Sequence, residues 1–292
     1  MIKTLTILGF FLFTYSTQAF DIMKITYTPK YKQDYVKDTY GHNLELGWET
    51  TSWEYLEFEK DGSIFISDKG LMHGIRGKYQ SILSDNFILS LGGRLILGNT
   101  TYEGGYSDGT PLTTKNINMI TEFEGKIGKA FSVDSIGLVA TPYLGYNLRY
   151  LRNPENPNVA GDYTRVQDYK SIPIGLETKL YVSRKTSIGL EYTHYEFQSG
   201  SIKSNLSEAN ETLKDINLKQ QSGKGFRVMA SLTTPINDKL VTFSPYYRYW
   251  EIADSEYSEV QEYEVGTQNK SSRFYEPRNT TKMIGININL AF

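Results

Sequence analysis

The stretch Lys282-Met283-Ile284-Gly285-Ile286-Asn287-Ile288-Asn289-Leu290-Ala291-Phe292 closes the chain and decides its fold. Successive side chains of an extended strand alternate between faces. Ile284, Ile286, Ile288, Leu290 and Phe292 therefore share one side, and Gly285, Asn287 and Asn289 take the other. In water, five apolar side chains along a terminal strand would form an aggregation template. The pattern instead implies apolar surroundings outside the sheet and polar groups inside it.

The same period of two runs through the chain from Gly74 onward. Leu138, Ala140, Pro142, Leu144, Tyr146, Leu148 and Tyr150 oppose Thr141, Tyr143, Gly145, Asn147 and Arg149. Ile172, Ile174, Leu176, Leu180 and Val182 oppose Gly175, Glu177, Lys179 and Tyr181. Segments with Ile188, Leu190 and Tyr192, with Phe226, Val228 and Leu232, and with Phe243, Pro245 and Tyr247 repeat the split. Short Ser, Asn and Asp turns near Asp85, Asp134, Arg184 and Asp238 divide the chain into hairpins, each holding an up-strand, a polar loop and a down-strand. Five such hairpins predict a single all-β, antiparallel up-and-down barrel of ten strands, with twelve as the alternative. The ambiguity lies in residues 22–60. We assign a spanning strand near 22–32 and a tall outer hairpin near 42–58, since single-chain bacterial barrels close with an even strand number.

The other end of the chain fits an exported protein. Lys3 is the single charge in the first nineteen residues, Thr4 to Tyr15 is an apolar run, and Thr17-Gln18-Ala19 offers small residues for a peptidase. We expect a signal peptide over 1–19, cleavage after Ala19 and a barrel domain over 20–292. The formal net charge is −2, there is no cysteine, and Tyr outnumbers Phe by 23 to 14. Mean hydropathy is −0.43, too polar for a bundle of membrane helices but compatible with a barrel whose strands turn half their residues to a polar interior.

The terminal alternation ending on Phe292, together with the leader, resembles the bacterial outer-membrane β-barrels, in which the last strand carries the assembly signal. The resemblance spans the whole mature chain and implies that Gly285, Ile288, Leu290 and Phe292 serve as that signal. It further implies a place in the outer membrane, lipid and lipopolysaccharide as surroundings, and the barrel-assembly machinery as the partner in biogenesis.

Projected inward, the strands carry eight basic residues (Arg76, Lys78, Arg94, Lys126, Arg149, Lys179, Arg227 and Arg248) and four acidic ones (Glu122, Glu124, Glu177 and Glu191). Charges this dense in a confined interior must be paired or hydrated. The expected function is a narrow porin-like channel with a mildly basic wall. The alternative is a plugged surface barrel acting through its outer loops, of which 254–276 is acidic and tyrosine-bearing and 203–222 is rich in Ser, Asn and Lys.

A rim hydrolase is the third reading. Omptin proteases resemble this chain in length and strand number and use an Asp-x-His element, but here Tyr192 stands two residues before His194. Outer-membrane lipid deacylases and phospholipases place a Ser two residues after the His, where this chain has Glu196. Without a nucleophile in reach of a base, acyl-transfer chemistry has no starting point. His42 and His73 have no partners at metal-ligand spacing. No phosphate loop, dinucleotide fingerprint or basic nucleic-acid patch occurs, so no metal, cofactor or nucleic acid is expected.

Overall fold

The computed structural model describes residues 33–105 and 109–292. The expected leader, its cleavage point and the strand placed near 22–32 lie outside the described residues. Ten long strands form the wall: β1 (Leu44–Phe58), β2 (Ile64–Ile82), β3 (Phe87–Gly105), β4 (Pro111–Lys129), β6 (Leu138–Asn153), β7 (Arg165–Tyr181), β8 (Ser187–Ser204), β10 (Gly223–Ile236), β11 (Lys239–Ile252) and β14 (Asn279–Ala291). Each pairs antiparallel with the next in this order, β8 pairs with β10, and β14 returns to β1. The ring is a closed ten-stranded barrel with no free edge.

Four short strands decorate it. β5 (Phe131–Val133) continues the sheet beside β6, β9 (Ile216–Gln220) beside β8, and β12 (Gln261–Val265) pairs with β13 (Gln268–Ser272) in an outer hairpin. Among the described residues there are two short α-helices, α1 (Tyr35–Tyr40) and α2 (Leu206–Ala209).

The count of ten holds, but the first strand differs from expectation. Residues 42–58 are not an outer hairpin: 44–58 form β1, one uninterrupted wall strand. Its register with β14 runs from Glu45↔Ala291 to Glu57↔Asn279, and with β2 from Leu44↔Tyr79 onward. The physical reason lies in the sequence. No Gly, Pro or Asn interrupts Trp48 to Trp53, so nothing there reverses the chain, while the alternation of Leu44, Leu46 and Trp48 with Gly47, Glu49 and Thr51 continues unbroken.

At the short-turn end the reversals use the chemistry their backbone demands. Asn237 and Asp238 both sit at positive φ (47° and 62°) between the paired Ile236 and Lys239, a two-residue turn whose twist matches that of the flanking strands. Asp85 and Asn86 (φ 55° and 60°) make the β2–β3 reversal. The opposite end carries the larger connections, with α2 and β9 between β8 and β10, and β12–β13 between β11 and β14.

The wall inverts the usual distribution of polarity. Ile284, Ile75 and Leu144 are 65%, 60% and 59% exposed, whereas Glu122, Arg149 and Arg248 are buried at 4%, 1% and 1%. A sheet with apolar residues outside and charges inside is stable when its outer solvent is hydrocarbon and every backbone group is paired within a closed ring. No described helix is long and apolar enough to cross a membrane.

Candidate functional site

The interior is built in layers, and each layer closes it. At the short-turn end α1 sits in the barrel mouth, begun by Asp34, whose side chain accepts a hydrogen bond from the Lys37 amide at 3.0 Å. Tyr35, Val36 and Tyr40 pack against the inward residues Ile88, Ala130, Val139 and Tyr181. Tyr40 Oη donates to Thr141 Oγ1 at 2.7 Å, and Thr39 Oγ1 lies 3.0 Å from Tyr181 Oη. The segment before the first strand thus forms a floor. Above it lies a cavity of about 120 Å³ bounded by Tyr40, Arg76, Lys78 and Glu177 below and by buried ion pairs above.

Those pairs form two clusters that meet on β4. In the first, Arg94 contacts Glu49 at 2.5 Å and Glu122 at 2.8 Å, and Arg248 reaches Glu122 with both terminal nitrogens at 2.6 and 2.5 Å. Asn147 Nδ2 donates to Glu122 Oε1 at 2.5 Å, and Tyr246 Oη donates to Glu49 Oε1. In the second, Lys126 bridges Glu124 (2.8 Å) and Glu191 (2.9 Å), while Arg227 bridges Glu191 (2.9 Å) and Glu124 (3.4 Å). Tyr143 and Tyr195 donate to Glu191 (2.6 Å) and Glu124 (3.0 Å). Each of these carboxylates has a cationic partner and further donors, the condition under which buried charge is tolerated.

The strands involved show what the network does. Counted around the ten-strand ring, β4 and β11 are five strands apart, which is diametrically opposite. Glu122 on β4 and Arg248 on β11 touch directly, so the lumen is bridged by side chains at that level.

Outward of this belt an apolar layer fills the bore: Trp53, Met72, Ile96, Ile120, Leu151 and Met283 are all fully buried. Beside it pack Tyr169, Tyr195, Phe197, Trp250 and Ile252. A bulge in β8, between Lys170↔Ser199 and Ser171↔Phe197, shifts the inward parity from odd to even numbers, so that Phe197 and then Ile202 both turn in.

At the outer mouth a last polar group closes the barrel. Glu57 and Glu276 each place Oε1 at 3.0 Å from the Tyr55 hydroxyl, and at 2.8 and 2.6 Å from Arg165 Nη2. Gln167 Nε2 donates to Tyr55 Oη at 3.0 Å. Glu276 comes from the loop before β14, outside the wall. Its carboxyl is pushed up to about 8, first by burial and then by the neighbouring Glu57 carboxylate, with Arg165 opposing.

Ten of the twelve residues expected to face inward border the cavity: Arg76, Lys78, Arg94, Glu122, Glu124, Lys126, Glu177, Glu191, Arg227 and Arg248. Lys78 also pairs with Glu45 at 3.0 Å. Arg149 lies outside the cavity between aromatic rings, and Lys179 faces Glu45 electrostatically near the floor.

The sequence reading passed over Glu49, because its segment was assigned to an outer hairpin, and Tyr143, Asn147 and Tyr246, because only charges were projected inward. It also passed over Tyr55, Glu57, Arg165 and Glu276. Of these, Arg165 was findable, since it continues the inward parity of Glu177 back along β7. His194 points outward and meets Glu196 at 3.4 Å, and His73 stacks on Trp48 and bonds Thr50, so neither joins the interior groups.

No protein-family model matches the chain, and no curated protein matches it in sequence. Among solved structures it is similar to the outer-membrane protease OmpT from Escherichia coli, with a TM-score of 0.54 and 9% identity over 86% of this chain and 97% of that one. It also aligns with the toluene transporter TodX from Pseudomonas putida (TM-score 0.34, 10% identity, 88% and 92% covered). A third match is the translocator domain of the autotransporter NalP from Neisseria meningitidis (TM-score 0.35, 11% identity, 86% and 91% covered). These are outer-membrane barrels of several kinds. With its closed ten-stranded ring and inverted polarity, this chain is a transmembrane β-barrel with the fold of the bacterial outer-membrane proteins.

Proposed function

We propose that the protein is a plugged barrel of the bacterial outer membrane whose wall anchors it in lipid and whose outer extension, rather than a pore, is its working surface. The observation that carries this reading is the direct contact of Glu122 with Arg248 across the full width of the ring. The floor made by α1 and the apolar layer around Trp53 and Met283 support it independently. A porin-like channel would need a continuous wet path, and most of the charges expected to line one are held in ion pairs.

The outer extension offers what such a surface needs. Past the lipid-facing belt stand β9, α2 and the β12–β13 hairpin, with Lys60 held by the Tyr257 hydroxyl at 3.0 Å and set over the rings of Tyr257 and Tyr275. Assembly through the terminal strand, with Gly285, Ile288, Leu290 and Phe292 recognised by the barrel-assembly machinery, and lipopolysaccharide around the outer leaflet belong to the same reading.

Planar-bilayer recording of the refolded mature chain tests it. A silent bilayer across the voltage range is expected. Steady, reproducible conductance steps from the wild-type protein would restore the channel and overturn the plug.

A further inference from the structure

Arg149 is buried beside the ion-pair network yet takes no part in it. It faces Glu122 directly across the β4–β6 ladder, the register that most favours a cross-strand ion pair. Yet all three nitrogens of its guanidinium lack a hydrogen-bond acceptor, although the side chain is 1% exposed. The cause is saturation of its neighbour. Glu122 Oε1 already receives Arg248 Nη2 and Asn147 Nδ2, and its Oε2 receives Arg94 Nε and Arg248 Nη1. A carboxylate has about four acceptor positions, and all are taken.

The charge at this level does not balance. Arg94, Arg149 and Arg248 face Glu49 and Glu122, which leaves one positive charge in excess within this cluster. The second cluster is neutral within itself, with Lys126 and Arg227 against Glu124 and Glu191, and so cannot compensate. A guanidinium cannot shed its proton to escape the cost. Aromatic faces help: Arg149 lies 5.8 Å from the Tyr169 ring centroid and 5.9 Å from that of Trp250. They accept no in-plane N–H bonds, however, and carry no net negative charge.

Other donors without acceptors lie nearby. Trp250 packs against both Arg149 and Arg248, and its Nε1 has no acceptor; nor has Arg248 Nε. A water molecule could take hydrogen bonds from these groups but would leave the charge uncompensated. A small anion answers both deficits.

We propose that the barrel interior binds one small inorganic monovalent anion of the chloride class against the Arg149 guanidinium. The anion is structural, built into the plug rather than carried through it. Because it binds the folded state alone, it stabilises the barrel by mass action in a saturable way.

The test uses the mature protein refolded in detergent. Crystals grown with sodium bromide in place of chloride should show an anomalous peak in contact with Arg149. Thermal unfolding should shift upward with halide and saturate, compared with sodium gluconate at equal ionic strength. Arg149→Met should lose that saturable shift while keeping the general salt response. A bromide-free Arg149 with water in its place, or the same halide response in wild type and R149M, would overturn the anion. The crystal measurement stands if R149M fails to fold. The proposal rests on the plugged lumen, but the two fail separately, since a silent bilayer without bromide at Arg149 removes the anion and leaves the plug.

Discussion

The ring of Tyr246 lies across the backbone of Gly285, so close that a Cβ added to the glycine would stand 2.8 Å from two of its ring atoms. From that position the Tyr246 hydroxyl donates to Glu49 on β1, two strands away across the seam where the barrel closes. A glycine in the last strand therefore positions the first carboxylate of the ion-pair belt. Gly285→Val should push the ring out, break its bond to Glu49 and cost about 1–3 kcal/mol, the usual effect of overpacking. Ile284→Val, one residue away on the lipid side, should change stability little. Urea titration of the two refolded variants measures the contrast.

Glu122 holds Arg94, Arg248 and Asn147 at once, and it alone among the carboxylates described reaches across the ring to Arg248. Glu122→Gln removes the charge while nearly keeping the shape, and should cost about 3–5 kcal/mol, because it leaves Arg248 buried without its anion and Arg94 with Glu49 alone. Lys69, half exposed on the outer wall beside Glu54, is the control: Lys69→Met should cost about 0–1 kcal/mol. Heat-modifiable mobility and urea midpoints report both.

Leu144 and Asn147 lie on opposite faces of β6. An arginine at Leu144, 59% exposed to the lipid side, should cost about 2–4 kcal/mol near the membrane midplane. From alternation alone, Asn147 reads as a tolerant lumen position. The structure revises that, since Asn147 is fully buried and donates to Glu122. Asn147→Ala should therefore cost about 1–3 kcal/mol by leaving a carboxylate lone pair without its donor. Refolding titrations in which Asn147→Ala costs nothing would count against the described network.

The barrel wall was legible because period two is enforced by solvent: lipid selects one face and a crowded interior the other, so Leu144, Ile174 and Ile284 advertise their side without any knowledge of contacts. The position of the first strand was not, since Leu44, Leu46 and Trp48 alternate equally well in a wall or in an outer hairpin. What separates the two is the missing reversal between Trp48 and Trp53 and the partner needed by Ile284–Leu290 at ring closure. The inward charges could be projected strand by strand, but their pairing could not, because Glu122 and Arg248 are 126 residues apart and meet only when the ring has closed. The outer cluster was less visible still: Glu276 belongs to a loop with no periodicity, and its partner Glu57 lay in the misassigned segment.

That outer cluster yields a pH dependence. Both carboxyl oxygens of the Glu57–Glu276 pair lie at hydrogen-bonding distance from one Tyr55 hydroxyl, which has a single proton to give, and from one Arg165 nitrogen. The groups facing Glu276 are Glu57 and Tyr55 from β1, Arg165 and Tyr169 from β7, and Tyr163 before it, with Arg165 the cation among them. Holding a proton between the two glutamates relieves their repulsion, which is why the folded Glu276 carboxyl stays protonated up to about 8. The sign follows from linkage. The folded state binds this proton more tightly than the unfolded chain, so the stabilisation is complete below the ordinary glutamate range and is lost as pH rises through about 8. Glu276 anchors its loop further through its amide to Ser255 Oγ at 2.7 Å, so the loss should appear first as loosening of residues 254–278 over the mouth. Hydrogen exchange of that segment should quicken between about pH 6 and 9 beyond the rise that hydroxide catalysis alone gives an open amide. Glu276→Gln, which keeps the hydrogen bonds without the titrating proton, should flatten the excess, and an excess surviving in that variant would remove Glu276 as its source.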